Sequence, residues 1–361
     1  MDAKEPSSSN SYASISPDPI FQTATGFWAS KALMAAVELG LFTKLSGGKQ
    51  MTLKELQQAL EMEARPTDVF ASALASLGLL QVTKKEGSER LFANSPVSEM
   101  FLDKSKASYM GQIITMFDKR LYKAWDKLVE SLKSNKPVNA EDGGGFAAGE
   151  SIFDQAKSKQ AIEEIQRFTH AMHGVSIGPA IQLPKAYDFS KHRRMMDIGG
   201  GSGVYVIQVV KANPNMTATI LDLEPVCQVA EQYIKIHNLQ DKVKTKPLDF
   251  FNEDIPTGYD VAFLSHIIHD YNEEKGIALL KKIYNSLAND GVVVISEWLL
   301  NDDKTGPAAS ALMGLNMIIE SYGGKNYSYA EIADMLKQAG FKGTEKRPLA
   351  GPAEIVIGYK V

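Results

Sequence analysis

Residues 193–213 read RRMMDIGGGSGVYVIQVVKAN. A short apolar strand runs into Asp197-Ile198-Gly199-Gly200-Gly201-Ser202-Gly203, and apolar residues then return at helical spacing. Glycines without side chains let the backbone turn tightly and let a ligand approach it closely. Strand, glycine turn and helix together open a nucleotide-cofactor fold, a pattern that nicotinamide-binding proteins also use. The G-x-G-x-x-G form is incomplete, because Val204 or Val206 stands where its third glycine would fall, counting from Gly199 or from Gly201.

The stretches TATILDL, KVKTKPLDFF, DVAFLSH, GVVVISEWLL and EIVIGYK follow, each a short apolar run separated from the next by an amphipathic segment or a turn. Such alternation predicts an α/β fold: a mostly parallel, Rossmann-like sheet with helices on both faces and its ligand site at the carboxyl ends of the strands. Asp222 ends the second strand, followed by Leu223, where an acidic side chain meets ribose hydroxyls in either cofactor class. Asp197 before the glycines and Asp249-Phe250 at the end of the third strand discriminate between classes. A carboxylate accepts from an adenine amino group while a phenyl ring packs on the base.

Upstream, the apolar residues Phe27, Ala32, Leu33, Ala36, Val37, Leu41 and Phe42 predict packing helices that share one face. Thr52 can cap LKELQQALEM, Pro66 opens the helix containing DVFASALASLGLL, and QVTKKEGSERLFAN reads as a hairpin turning near Gly87. That order is a winged helix. Between Leu53 and Asp103 the 8 acidic residues outnumber the 5 basic ones, which opposes binding to a phosphate backbone. Residues 104–185 read as mainly helical, with a linker at NAEDGGGFAAGES. The organisation expected is a disordered tail at 1–18, a helical winged-helix dimerisation domain at 19–110, a helical connector lining the acceptor pocket at 111–185 and a catalytic domain at 186–361.

Of the 361 residues, 44% are hydrophobic and 23% charged, and the net charge is -4. That is a water-soluble composition with no general attraction for nucleic acid or anionic membranes. No apolar run approaches the roughly 20 residues of a membrane span. The one cysteine, Cys227, cannot form an intramolecular disulfide and fits a cytoplasmic location. A small-molecule ligand is expected.

The motifs DIGGGSG, ILDLEP, LDFF, HDYNEE and ISEWLL, in this order, resemble those of the small-molecule O-methyltransferases of the caffeic acid and hydroxyindole type. The resemblance extends over nearly the whole chain, its N-terminal half being similar to their winged-helix dimerisation domain. It implies S-adenosylmethionine as cofactor, held by Gly199, Asp222, Asp249 and Phe250, with no metal; Asp197, Gly201, Leu223 and Ser265 are further candidate cofactor contacts. It implies a homodimer and transfer of a methyl group to a hydroxyl of a small aromatic or enolic metabolite. His269 would be the general base and Glu297 its orienting carboxylate; His266 competes for the base role but has no motif support. On the acceptor side the resemblance points to Met172; Met313, Asn316, Met317, Glu320 and Asn326 are candidate contacts.

The pattern departs from the family at Asn326, which stands where members carry a second acidic residue flanking the base. Ser265 replaces a common lysine and Tyr271 a common tryptophan. His170 and His173, on the helix that carries Met172, read as surface residues. His266, His269, Asp270 and Glu273 match no established metal-ligand spacing. Two other readings stay open: methylation at nitrogen or carbon, with His269 only orienting the acceptor, and a catalytically inert protein that binds S-adenosylmethionine as a regulatory signal.

Overall fold

The computed structural model describes residues 15–84, 89–106, 108–138 and 159–361, without the Gln160 side chain. Most of the expected tail, the hairpin turn near Gly87 and the glycine-rich linker lie outside the described residues. The chain divides between Tyr109 and Met110 into two compact units.

The first unit contains α1 (Asp18–Ala24), α2 (Gly26–Glu38), α3 (Leu41–Lys44), β1 (Met51–Thr52), α4 (Leu53–Leu60), α5 (Ala64–Ser76), β2 (Leu80–Thr83), β3 (Leu91–Asn94) and α6 (Pro96–Phe101). Its three strands form an antiparallel sheet in the order β1-β3-β2, in which β2 and β3 are the hairpin that the sequence predicts and β1 is an added short strand. Thr52 caps α4 reciprocally with Glu55, each side chain satisfying a backbone N–H of the first turn. Pro66 does not open α5: the helix starts two residues earlier after Glu63. Its ring is tolerated there because N–H groups of a first turn have no intrahelical partner.

Ala36, Val37, Leu41, Phe42, Leu56, Leu74 and Phe92 are buried in this unit. The expected apolar stripe does not bury throughout, since Phe27 is 51% exposed, and its neighbour Trp28, outside the stripe, is 65% exposed. That end of α2 presents its rings outward.

The second unit begins with α7 (Gly111–Met116), a π-helical turn (Phe117–Leu121), α8 (Tyr122–Ala124) and α9 (Leu128–Ser134), followed by the 28-residue α10 (Lys159–Ala186). Its sheet contains β4 (Arg194–Ile198), β5 (Thr217–Asp222), β6 (Val243–Pro247), β7 (Tyr259–Ser265), β8 (Leu287–Trp298), β9 (Lys342–Ala350) and β10 (Ala353–Tyr359) in the order β6-β5-β4-β7-β8-β10-β9. The first five of these are parallel, while β10 runs antiparallel to both neighbours. Around them lie α11 (Val204–Ala212), α12 (Glu224–Ile236), α13 (Glu273–Ser286), α14 (Ala308–Glu320) and α15 (Tyr329–Ala339).

The buried strands alternate between two apolar layers. Val261 and Phe263 of β7 join Val204, Val206 and Leu183 on one face, while Ala262 and Leu264 join Leu279, Ile283 and Leu336 on the other. A sheet covered on both faces is what a parallel arrangement requires. β9, KGTEKRPLA, has no apolar alternation and was not foreseen: it is a partly exposed edge strand, held by pairing with β10. From β4 the chain runs to β5 and β6 on one side and then returns to β7 on the other. This reversal opens a crevice at the carboxyl ends of β4 and β7. Among the described residues no helix is long and apolar enough to cross a membrane.

Candidate active site

The glycine turn sits at the carboxyl end of β4. Gly199, Gly201 and Gly203 all have positive φ, a region that residues with a Cβ rarely adopt. A Cβ on Gly199 would collide with Ile267 Cδ1, and Phe250 closes the same side. A Cβ on Gly201 would meet nothing within 4 Å, so this side of the turn is open to a ligand. Asp222 faces the turn: Gly201 N–H donates to Oδ2 at 2.8 Å and Leu223 N–H to Oδ1 at 2.7 Å. Burial pushes the Asp222 pKa up to about 6, against those two hydrogen bonds.

Several expected cofactor contacts have local duties as well. Asp197 is 1% exposed and lies beneath Gly200, with neither carboxyl oxygen bonded among the described residues. Burial, reinforced by Asp222, holds its pKa well above the usual carboxylate range. Asp249 Oδ1 accepts from the N–H groups of Phe251 and Asn252, and Oδ2 accepts from the Asn252 amide. Its carboxylate therefore already closes its own turn. Phe250, half-buried, is at ring contact with Phe251. Ser265 Oγ is buried beside the Tyr205 hydroxyl, with no well-formed hydrogen bond among the described residues.

His269 lies in the turn after β7 and is buried, as is Glu297 at the end of β8. His269 Nδ1 is 2.6 Å from Glu297 Oε2. Glu297 Oε1 accepts from the backbone N–H groups of Ile267 (3.1 Å), Ile268 (3.0 Å) and His269 (3.4 Å). One carboxylate thus fixes both the imidazole and the backbone that carries it. Burial alone would lower the His269 pKa, but the charges of Glu297 and Asp270 and the Glu297 hydrogen bond outweigh it and raise the value to about 9.

The second acidic neighbour of His269 is Asp270, missed in the sequence, whose Oδ1 is 3.5 Å from Nε2. Adjacency in the chain gives no such signal without the turn geometry. Asn326 does not pair with the imidazole: its Nδ2 donates to the Trp298 carbonyl at 2.7 Å, and its buried Oδ1 has no partner among the described residues. His266, at φ 56, puts Nδ1 3.8 Å from Glu297 Oε2. Burial brings its pKa down to about 4 despite that carboxylate. His266, His269 and Glu297, rather than the grouping with Asp270 and Glu273, present possible ligand atoms within 4.8 Å of one another.

α14 packs against the turn carrying His269. Of its expected acceptor contacts, Met313 is half-buried and Met317 is buried. Asn316 and Glu320 are engaged elsewhere: Trp125 Nε1 donates to Asn316 Oδ1 at 3.1 Å, and Glu320 pairs with Arg120. Both therefore brace the wall, and an acceptor would have to share them. Met172 is half-buried on α10. His170 and His173 are half-buried rather than fully exposed: His170 Nδ1 is 3.0 Å from Tyr233 Oη, and His173 Nδ1 is 2.8 Å from Ser202 Oγ.

Residues 125–342 match the O-methyltransferase domain family, and residues 21–104 the O-methyltransferase dimerisation domain. The chain is 32% identical over 349 residues to 3-hydroxy-5-methyl-1-naphthoate 3-O-methyltransferase of Streptomyces sahachiroi, covering 95% of each. It is 32% identical over 345 residues to the tetracenomycin polyketide synthesis 8-O-methyl transferase TcmO of Streptomyces glaucescens, covering 95% of this chain and 97% of that one. The solved structure of PigF with SAH superposes with a TM-score of 0.82 at 26% identity, covering 96% of this chain and 100% of that one. By domain content, sequence and fold, the chain belongs to the O-methyltransferase family.

Proposed function

We propose that the protein transfers a methyl group from S-adenosylmethionine to a hydroxyl of a small aromatic or enolic metabolite, with His269 as general base oriented by Glu297. The observation that carries this reading is the buried 2.6 Å contact from His269 Nδ1 to Glu297 Oε2, at the switch-point end of the sheet. The relatives named above support the hydroxyl as target, and the solved PigF complex with SAH supports the cofactor.

The residues around the glycine turn fit such a cofactor. Gly201 leaves open space, Asp222 can share its carboxylate with ribose hydroxyls, Leu223 follows at the head of α12, and Phe250 offers an apolar face for adenine. Gly199 allows that face to close. Asp249 and Ser265 flank this region, and Asp197 supports the turn from beneath.

Bound S-adenosylmethionine supplies a methyl group already activated on sulfonium. What remains for the chain is to aim the acceptor and take its proton. Met172 and Met313 supply apolar surface for the acceptor, beside a wall formed by Asn316, Met317, Glu320 and Asn326. A proton arriving at His269 Nε2 makes an imidazolium that Glu297 and Asp270 stabilise. A pKa of about 9 for that imidazolium lies close to the ordinary phenol value of about 10, so the transfer is nearly balanced.

Because the same pKa keeps His269 protonated at neutral pH in the free protein, a second reading is methylation of a carbon or an already ionised enol, with His269 orienting the acceptor. The exposed aromatic end of α2 and the dimerisation-domain match support a homodimer.

The test is titration of the purified protein with S-adenosylmethionine, S-adenosylhomocysteine and NAD, followed by NMR of products from a panel of phenols and enols. Micromolar binding of the first two and O-methylated products support the proposal. NAD binding alone overturns it, as does donor binding with only C- or N-methylated products.

A further inference from the structure

We propose that His173 is a positioning residue for the donor site, holding the glycine turn in its ligand-ready form through Ser202. The inference rests on the reading of that turn as the S-adenosylmethionine site.

Between Gly199 and Gly203 only Ser202 has a side chain that an outside group can grip. It is 4% exposed, and its Oγ lies 2.8 Å from His173 Nδ1. The imidazole is held in turn, stacked face to face on Tyr233 of α12 with 3.7 Å between ring centroids and 9° between planes. Tyr233 Oη meets His170 Nδ1 at 3.0 Å, and Gln166 Nε2 donates to Gln228 Oε1 at 3.2 Å. Gln166, His170 and His173 recur at helical spacing along one side of α10, so a single stripe grips both α12 and the turn.

This grip addresses a weakness of the turn itself. Its three positive-φ glycines have little intrinsic preference for that conformation, so an unrestrained turn would lose entropy when it closes on a ligand. A side chain anchored on two packed helices removes part of that loss before the donor arrives. α12 begins directly after Asp222 and Leu223, so the same clamp adds to the Gly201 N–H bond in holding the turn against the Asp222 carboxylate. Met172, next to His173 on α10, ties the acceptor side to the same element.

The experiment measures the S-adenosylmethionine Kd by titration and steady-state kinetics for the wild type, His173→Ala, His173→Asn, Ser202→Ala and the His173→Ala/Ser202→Ala pair. Loss of one hydrogen bond corresponds to roughly a two- to twelvefold weaker Kd in each alanine variant. The pair should be no weaker than either single variant, since both break one contact. Donor KM should rise with kcat at saturation and the pH midpoint unchanged, and His173→Asn, whose amide can still reach a hydroxyl, should recover part of the affinity.

Alanine variants that melt earlier yet bind the donor as tightly as the wild type would reduce His173 to a packing residue and overturn the proposal. Additive losses in the double variant would overturn it too. A wild type that does not bind the donor at all refutes the underlying reading of the turn, an outcome distinct from either of these.

Discussion

Replacing Glu297 by Gln removes one charge while keeping the side chain's shape. The amide oxygen can still accept from the backbone N–H groups of Ile267, Ile268 and His269, so the turn should keep its path. What disappears is the carboxylate 2.6 Å from His269 Nδ1, the chief influence raising the imidazole pKa to about 9 against burial. In the wild type at pH 7.5, about 3% of molecules carry neutral His269 if its pKa is near 9, so kcat/KM should climb about tenfold per pH unit and level off near that value. In Glu297→Gln the midpoint should fall to the ordinary histidine value of 6.5 or below. The plateau should drop by roughly 100-fold, because about 3 kcal/mol of imidazolium stabilisation is lost. The assay is methyl transfer from labelled donor between pH 5.5 and 10, with donor Kd measured alongside. An unchanged midpoint in the variant refutes the assignment of Glu297 as the group that tunes His269.

Three further outcomes are expected. The His269 proton also stabilises the fold: its pKa is raised above the ordinary 6.5, so its contribution is complete below pH 6.5 and lost as pH rises through about 9. The Tm advantage of the wild type over His269→Gln should shrink across that window, and a constant gap would contradict it. Asp222→Ala should weaken the donor roughly 5- to 150-fold by titration, since it removes the proposed acceptor for ribose and frees the Gly201 and Leu223 N–H groups; an unchanged Kd would remove Asp222 from the site. Trp28→Glu should move the protein from dimer to monomer in sedimentation at micromolar concentration, because it places a charge in an exposed aromatic face; a wild type that is already monomeric removes the dimer claim.

The central sheet was legible because buried parallel strands must be continuously apolar, and because a glycine turn can be read without knowing its neighbours. The strands ending at Ile198, Asp222, Ser265 and Trp298 lie where their apolar runs predict. β9 was not legible, since an edge strand draws its order from β10 and needs no apolar pattern of its own. Pro66 misled because proline is accepted anywhere in a helix's first turn.

At the site, the pairing of His269 with Glu297 is expected from motif resemblance, and their meeting depends on the parallel register that pairs Ser265 with Ser296. Asp270 was overlooked as a partner because its approach to Nε2 depends on the tight turn over Ile268–Asp270. The engagement of Asn316 with Trp125 and of Glu320 with Arg120 joins residues about 200 positions apart, which no local pattern records. His173 was misread as exposed for the same reason: its partners Ser202 and Tyr233 come from two other elements of the fold.

The most direct measurement is single-turnover methyl transfer by His269→Ala with saturating donor, beside the donor Kd of the same variant. The account predicts a rate lower by roughly 100- to 10,000-fold with the Kd nearly unchanged. A rate equal to that of the wild type would contradict His269 as the base.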